Sequence, residues 1–163
     1  MKGFTLIEVL IAMFVVVLGA GALFALVQQT TSFVTNPSSQ LIASYLAHEG
    51  NEIVRNIRDT NFLKIHKGLE ANWDDGLTGC SAGCEADFND SVLGSFQDRF
   101  LKIGGGLYTY DSGTNTIFKR KIIVDSEETD VLEVETQVSW FEKGRTHTVK
   151  AATRLYNWLT PTQ

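Results

Sequence analysis

The feature that most constrains this chain is an uninterrupted apolar run near its start. From Val9 to Val27, nineteen residues contain no charged side chain, no proline and no hydroxyl or amide group. As an α-helix they would extend about 29 Å, close to the hydrocarbon thickness of a bilayer. The run predicts a membrane-spanning helix and excludes a soluble globular fold for the intact chain.

One charged residue lies at the beginning of this run. Between Phe4 and Val27 only Thr5 and Glu8 are polar. A carboxylate in hydrocarbon costs about 3 kcal/mol at a helix centre and less near an end. Either a counter-charge offsets this cost, or Glu8 has a function that requires its charge.

A cleavable secretory signal is the alternative interpretation of the run. Such signals have a shorter apolar core, of about 7–15 residues, and a small-residue cleavage site after it. Here the run is longer and ends in LFALVQQTTSF, which contains no clear site of that kind. Lys2 is the one cation before the run, so we expect the start of the chain to stay in the cytoplasm and the rest to cross the membrane.

Residues 28–163 carry nearly all the charges, and their periodicity predicts an α+β domain. An amphipathic helix is expected at about 38–60, where Asn36-Pro37 either caps its start or kinks a longer helix. A loop is expected at 61–96, followed by an antiparallel sheet at about 98–158 whose dry face the helix covers. The expected apolar stripe of the helix is Ile42, Leu46, Ile53 and Ile57, widened by Leu41, Tyr45 and Val54. The strand patterns are Phe118, Ile122, Val124; Leu132, Val134, Val138, Trp140; and Val149, Ala151, Leu155.

The chain contains two cysteines, Cys80 and Cys84, separated by small residues. In an exported domain they would form a disulfide that closes a tight loop and contributes about 2 kcal/mol. The alternative is two free thiols in a cytoplasmic loop. The spacing excludes a CxxC redox motif, and a zinc site would need two further ligands.

Catalysis, cofactors and metals have little support in the sequence. No nucleophile elbow, phosphate-binding loop or HExxH motif occurs, and the histidines are scattered (His48, His66 and His147). Calcium could use acidic loop residues, although without EF-hand spacing (Asp74, Asp75, Asp87 and Asp90). With a net charge of −5 and no basic tract, nucleic-acid binding is disfavoured as well. We expect no enzymatic activity, no cofactor and no metal.

The segment Gly3-Phe4-Thr5-Leu6-Ile7-Glu8, after one Lys and before an apolar helix, resembles the processing signature of type IV pilin-like proteins. The segments LAHEGNEIVRNIRDTNF and VSWFEKGRTHTV look, more loosely, like those of minor pilins and of the minor pseudopilins of type II secretion. Major pilins commonly have a proline about two-thirds of the way along the apolar segment. The residues around Ala25 include none, which favours a minor subunit.

The resemblance implies a processing and assembly pathway. Prepilin peptidase would cut between Gly3 and Phe4 and the new N-terminus would be methylated. A leader (1–3), a transmembrane and filament-core helix (4–27) and an extracytoplasmic domain (28–163) would result. Glu8 would then pair with the N-terminal amine of a neighbouring subunit in the filament.

The implied partners are other pilin or pseudopilin subunits, prepilin peptidase, the filament assembly machinery and the inner membrane, which the chain would cross once. The rival interpretation is a membrane-anchored binding domain or enzyme that never enters a filament. The sequence does not choose between a pilus, a secretion pseudopilus and a DNA-uptake filament.

Overall fold

The computed structural model describes residues 5–159 and, within them, the side chains of all but residues 27–37 and 127. The predicted leader, residues 1–3, lies outside the described residues. Helix α1 is Leu6–His66. The chain divides into two compact units, Met1–Gln40 and Leu41–Gln163.

The second unit contains two antiparallel sheets. The larger one has the order β2-β1-β6-β7-β8 and the smaller one the order β4-β3-β5. The strands are β1 (Cys84–Glu85), β2 (Gly94–Ser95), β3 (Lys102–Gly104), β4 (Leu107–Thr109), β5 (Thr114–Asn115), β6 (Phe118–Glu128), β7 (Val131–Glu142) and β8 (Arg145–Tyr156). A long helix with antiparallel sheets is an α+β fold, as the periodicity predicts.

The core lies between α1 and the inward face of β6 and β7. Burial alternates strictly along most of β7, so that Leu132, Val134, Val138 and Trp140 are buried as predicted. From α1, Leu46, Ile53, Val54 and Ile57 are buried and Ile42 is half-buried. The prediction that Leu41 and Tyr45 widen this stripe is wrong, because 57 % and 68 % of their surfaces are exposed. A helix on a sheet buries only a stripe, and these two residues lie outside it.

Several predicted boundaries differ from the structure. The helix assignment includes Asn36 and Pro37 and extends to His66 rather than to about residue 60, because a proline removes one helical hydrogen bond without always ending the helix. Residues 61–96 also contain β1 and β2, so this segment is not entirely a loop. The segment from about residue 98 supplies β3, β4 and β5 to a separate sheet, where we expected one sheet.

Candidate functional site

The start of α1 places Glu8 in the first helical turn. The carbonyl of Thr5 accepts hydrogen bonds from the backbone N–H groups of Glu8, at 3.1 Å, and Val9, at 3.3 Å, so Thr5 occupies the N-cap position. The spacing Thr5-x-x-Glu8 is that of a capping box, in which a Glu or Gln at this position bonds back to the N-cap backbone. The helix dipole also favours a negative charge in the first turn. The position of Glu8 in the first turn therefore offsets part of the cost of its charge within one chain.

The helical stretch that follows is suited to a membrane. Leu6–Leu26 is long and apolar enough to cross one, by length and composition, and none of it is buried within the described part of the chain. The side chain of Glu8 is exposed as well. Glu8 is the third residue of this stretch and so lies near its end, where a carboxylate costs less than at the centre. The predicted processing residues Gly3 and Phe4 lie outside the described residues.

The cysteines form the predicted disulfide. Cys80 and Cys84 have Cα atoms 5.3 Å apart, and both are buried in the same core cluster as Ile122 and Val124. Gly83 closes the loop by donating its N–H to the carbonyl of Cys80 at 2.9 Å, with a φ of 109° that favours glycine. The disulfide is thus part of the core as well as a local link.

Three of the four acidic residues considered as calcium ligands accept hydrogen bonds from backbone N–H groups. Asp87 accepts from the N–H of Tyr110 at 3.0 Å and from the hydroxyl of Thr109, and Asp90 accepts from the N–H of Asp87 at 2.7 Å. Asp75 accepts from the N–H of Asn72 at 2.7 Å. Among the side chains that the structure describes, no group of three or more His, Cys, Asp or Glu could hold a metal ion.

A buried arginine joins the helix to the sheet, and sequence reasoning missed it. Arg120 on β6 is 0 % exposed. Its Nη2 donates to the carbonyl of Ala86 at 2.9 Å, and Nη1 lies 3.2 Å from Oε1 of Glu49 on α1 as an ion pair. In the described structure Nε has no hydrogen-bond partner, and Nη1 has only that ion pair. The available signal was its position, because Arg120 falls on the inward face that Phe118 and Ile122 define.

A tyrosine next to this arginine has a shifted pKa. The hydroxyl of Tyr110 donates to the backbone carbonyl of Arg120 at 3.1 Å. Burial raises the pKa of Tyr110 to about 12, although the positive charge of Arg120 opposes the shift. This phenol is therefore a stable donor at neutral pH rather than a general base.

The three histidines lie apart. His48 and His66 are exposed on α1, whereas His147 on β8 is half-buried and stacks on Trp140 with ring centroids 5.1 Å apart.

Comparison with known proteins gives one finding, and it falls on the N-terminal segment. Residues 1–24 match the model of the prokaryotic N-terminal methylation motif. No curated protein and no solved structure gives a significant match. The match is to a prepilin-type signature, and it covers this N-terminal segment alone.

Proposed function

We propose that the protein is a minor structural subunit of a type IV pilus or of a type II secretion pseudopilus, without enzymatic activity. It is held in the inner membrane by one span with its C-terminal domain outside the cytoplasm, and it assembles through its N-terminal helix. The observation that carries the proposal is the single carboxylate of Glu8 in the apolar stretch Leu6–Leu26, within the prepilin-type motif.

Cleavage between Gly3 and Phe4 would create the group that Glu8 needs. The new amine of Phe4 is a cation at the edge of an apolar helix. When helices of two subunits pack side by side, the Glu8 carboxylate of one can meet the Phe4 amine of the other. The carboxylate is unfavourable when it is unpaired, and it meets the amine in only one alignment of the two helices. The pair would therefore select that alignment during assembly.

Two further features support a minor subunit in a filament. The stretch Leu6–Leu26 contains no proline, unlike the apolar segment of many major pilins. Leu41 and Tyr45, one helical turn apart, expose apolar surface that a neighbouring subunit could cover.

The test separates a pairing role of Glu8 from a capping role. Glu8→Gln removes the charge but keeps a side chain of similar shape that a capping box accepts. Glu8→Ala removes the charge and the capping side chain. If pairing matters, both variants insert in the membrane and are processed, and both lose incorporation into filaments by roughly a hundredfold, because an unpaired buried amine costs about 3 kcal/mol or more. Incorporation is measured by quantitative immunoblotting of sheared filaments against the membrane fraction. Normal incorporation of Glu8→Gln would refute the pairing role.

The rival function is a membrane-anchored binding domain outside any filament. A polar cleft of about 300 Å³ favours it, lined among others by Glu85, Asp87, Arg99 and Tyr110. This function predicts an intact Met1 in cells that contain the peptidase, whereas our proposal predicts a methylated Phe4. Mass analysis of the mature N-terminus distinguishes the two.

A further inference from the structure

One edge of the larger sheet, which no other strand of residues 5–159 covers, carries an inference that is independent of the N-terminal signature. Strand β8 is the last strand of that sheet and pairs with β7 on one side. The pairing runs from Glu142↔Arg145 to Val131↔Tyr156 without a register shift, so the edge is long and regular. Such an edge presents backbone groups that another strand can bind.

The hairpin turn determines which backbone groups face outward. Lys143 and Gly144 form the two-residue turn, and their φ values of 53° and 78° match a type I′ hairpin. The flanking pair Glu142↔Arg145 is then a hydrogen-bonded pair, and such pairs recur at every second position. The N–H and C=O groups of Thr146, Thr148, Lys150 and Ala152 consequently point away from β7.

The usual devices that protect a sheet edge are weak here. Strand β8 contains no proline and no bulge. Lys150 lies in the middle of the strand, where a lysine often blocks pairing. However, its ammonium lies 3.0 Å from Oε1 of Glu135 on β7, on the side of the strand opposite the edge.

The inward face of β8 is only partly covered. Val149 and Ala151 are half-buried, whereas their partners on β7, Val138 and Thr136, are fully buried. A further strand would extend the dry face and cover these side chains if its own inward residues were apolar.

The charged residues of β8 indicate which residues an added strand would need on its outward face. Strand β8 contains Arg145, Lys150 and Arg154 and no carboxylate, while β7 supplies the glutamates opposite. A second copy of β8 would bring like charges together, which is unfavourable. We infer that the β8 edge binds an extended segment of another protein, antiparallel to β8, in which apolar residues alternate with acidic ones.

The probe is a synthetic peptide with the sequence of β7, VLEVETQVSWFE, because β7 already shows the chemistry that pairs with β8. The full-length protein, in detergent micelles, is titrated with it while amide hydrogen exchange is followed residue by residue. We expect exchange at Thr148, Lys150 and Ala152 to slow by at least roughly tenfold, because their N–H groups gain partners. Exchange at Val149 and Ala151 should change little, because their N–H groups already bond to β7.

Two controls make the test specific. A peptide with its glutamates replaced by lysine should protect roughly tenfold less, owing to the like charges. Thr148→Pro removes an outward N–H and should abolish protection, whereas Thr148→Ala keeps it. If Thr148→Pro does not fold, the comparison of the original and the lysine-substituted peptide on the unchanged protein is the deciding control. The inference is overturned if no alternating protection occurs at peptide concentrations up to about 1 mM. It is also overturned if the alternating protection grows with protein concentration alone, since β8 would then pair with a second copy.

Discussion

The packing around Gly50 gives a prediction whose sign is opposite to that expected from helix propensity. A Cβ atom at Gly50 would lie 2.5 Å from Cγ2 and 2.8 Å from Oγ1 of Thr136, and 3.2 Å from Cδ of Arg120. Thr136 is fully buried on β7, and its hydroxyl donates to Oδ1 of Asn51 at 2.8 Å. Thr136 therefore cannot rotate away without losing this hydrogen bond.

The magnitude of Gly50→Ala follows from two opposing effects. In a helix interior, replacing glycine with alanine stabilises by about 1 kcal/mol. Overpacking a core costs about 1–3 kcal/mol, and the two contacts under 3.0 Å indicate the upper part of that range. We expect Gly50→Ala to lower the free energy of unfolding by about 1–2 kcal/mol and the Tm by about 3–8 °C.

The assay is thermal unfolding of the full chain in detergent, followed by near-ultraviolet circular dichroism. Asn56→Ala, at an exposed position of the same helix, is the matched control and should stabilise by about 0.5 kcal/mol. Combining Gly50→Ala with Thr136→Ala removes the obstructing atoms, so the two losses should be less than additive. A Tm of Gly50→Ala equal to or above that of the unchanged protein would refute the argument.

Two further predictions concern the core. Replacing both Cys80 and Cys84 with alanine should lower the free energy of unfolding by about 2–4 kcal/mol, because it removes both the loop constraint and buried sulfur atoms. Denaturant titration measures this, and a loss below about 1 kcal/mol would contradict the core role. Because the pKa of Tyr110 is raised to about 12, its stabilising contribution is complete below pH 10 and is lost as the pH rises towards 12. Tyr110→Phe should flatten this alkaline decline in Tm, and an unchanged decline would be evidence against the shift.

Patterns that repeat over a few residues predicted much of the fold. The alternation in β7 predicts which side chains face the helix, and Leu132, Val134, Val138 and Trp140 are all buried. The predicted disulfide also depends on two residues that are close in sequence. The smaller sheet was not predicted as separate, because its two- and three-residue strands are too short to show a period.

The polar part of the core could not be predicted in the same way. Thr136 and Arg120 occupy inward positions of their strands. A search for apolar residues at alternate positions does not select them, because both side chains are polar. Their burial depends on partners far along the chain, since Asn51 is 85 residues from Thr136 and Ala86 is 34 residues from Arg120. Periodicity contains no information about such pairs, although the inward position of each residue was visible.

Glu8 and Arg120 differ in how their environments offset the cost of a charge. Arg120 is buried by the fold of its own chain, which supplies the carbonyl of Ala86 and the carboxylate of Glu49. The described part of the chain supplies Glu8 with the dipole of the first turn of α1 and the N-cap position of Thr5. Capping accepts glutamine as well as glutamate, so it does not explain why a full charge is present. The dipole does favour a full charge at this position, and our proposal adds to it a cation from a second molecule, which Glu8→Gln tests directly.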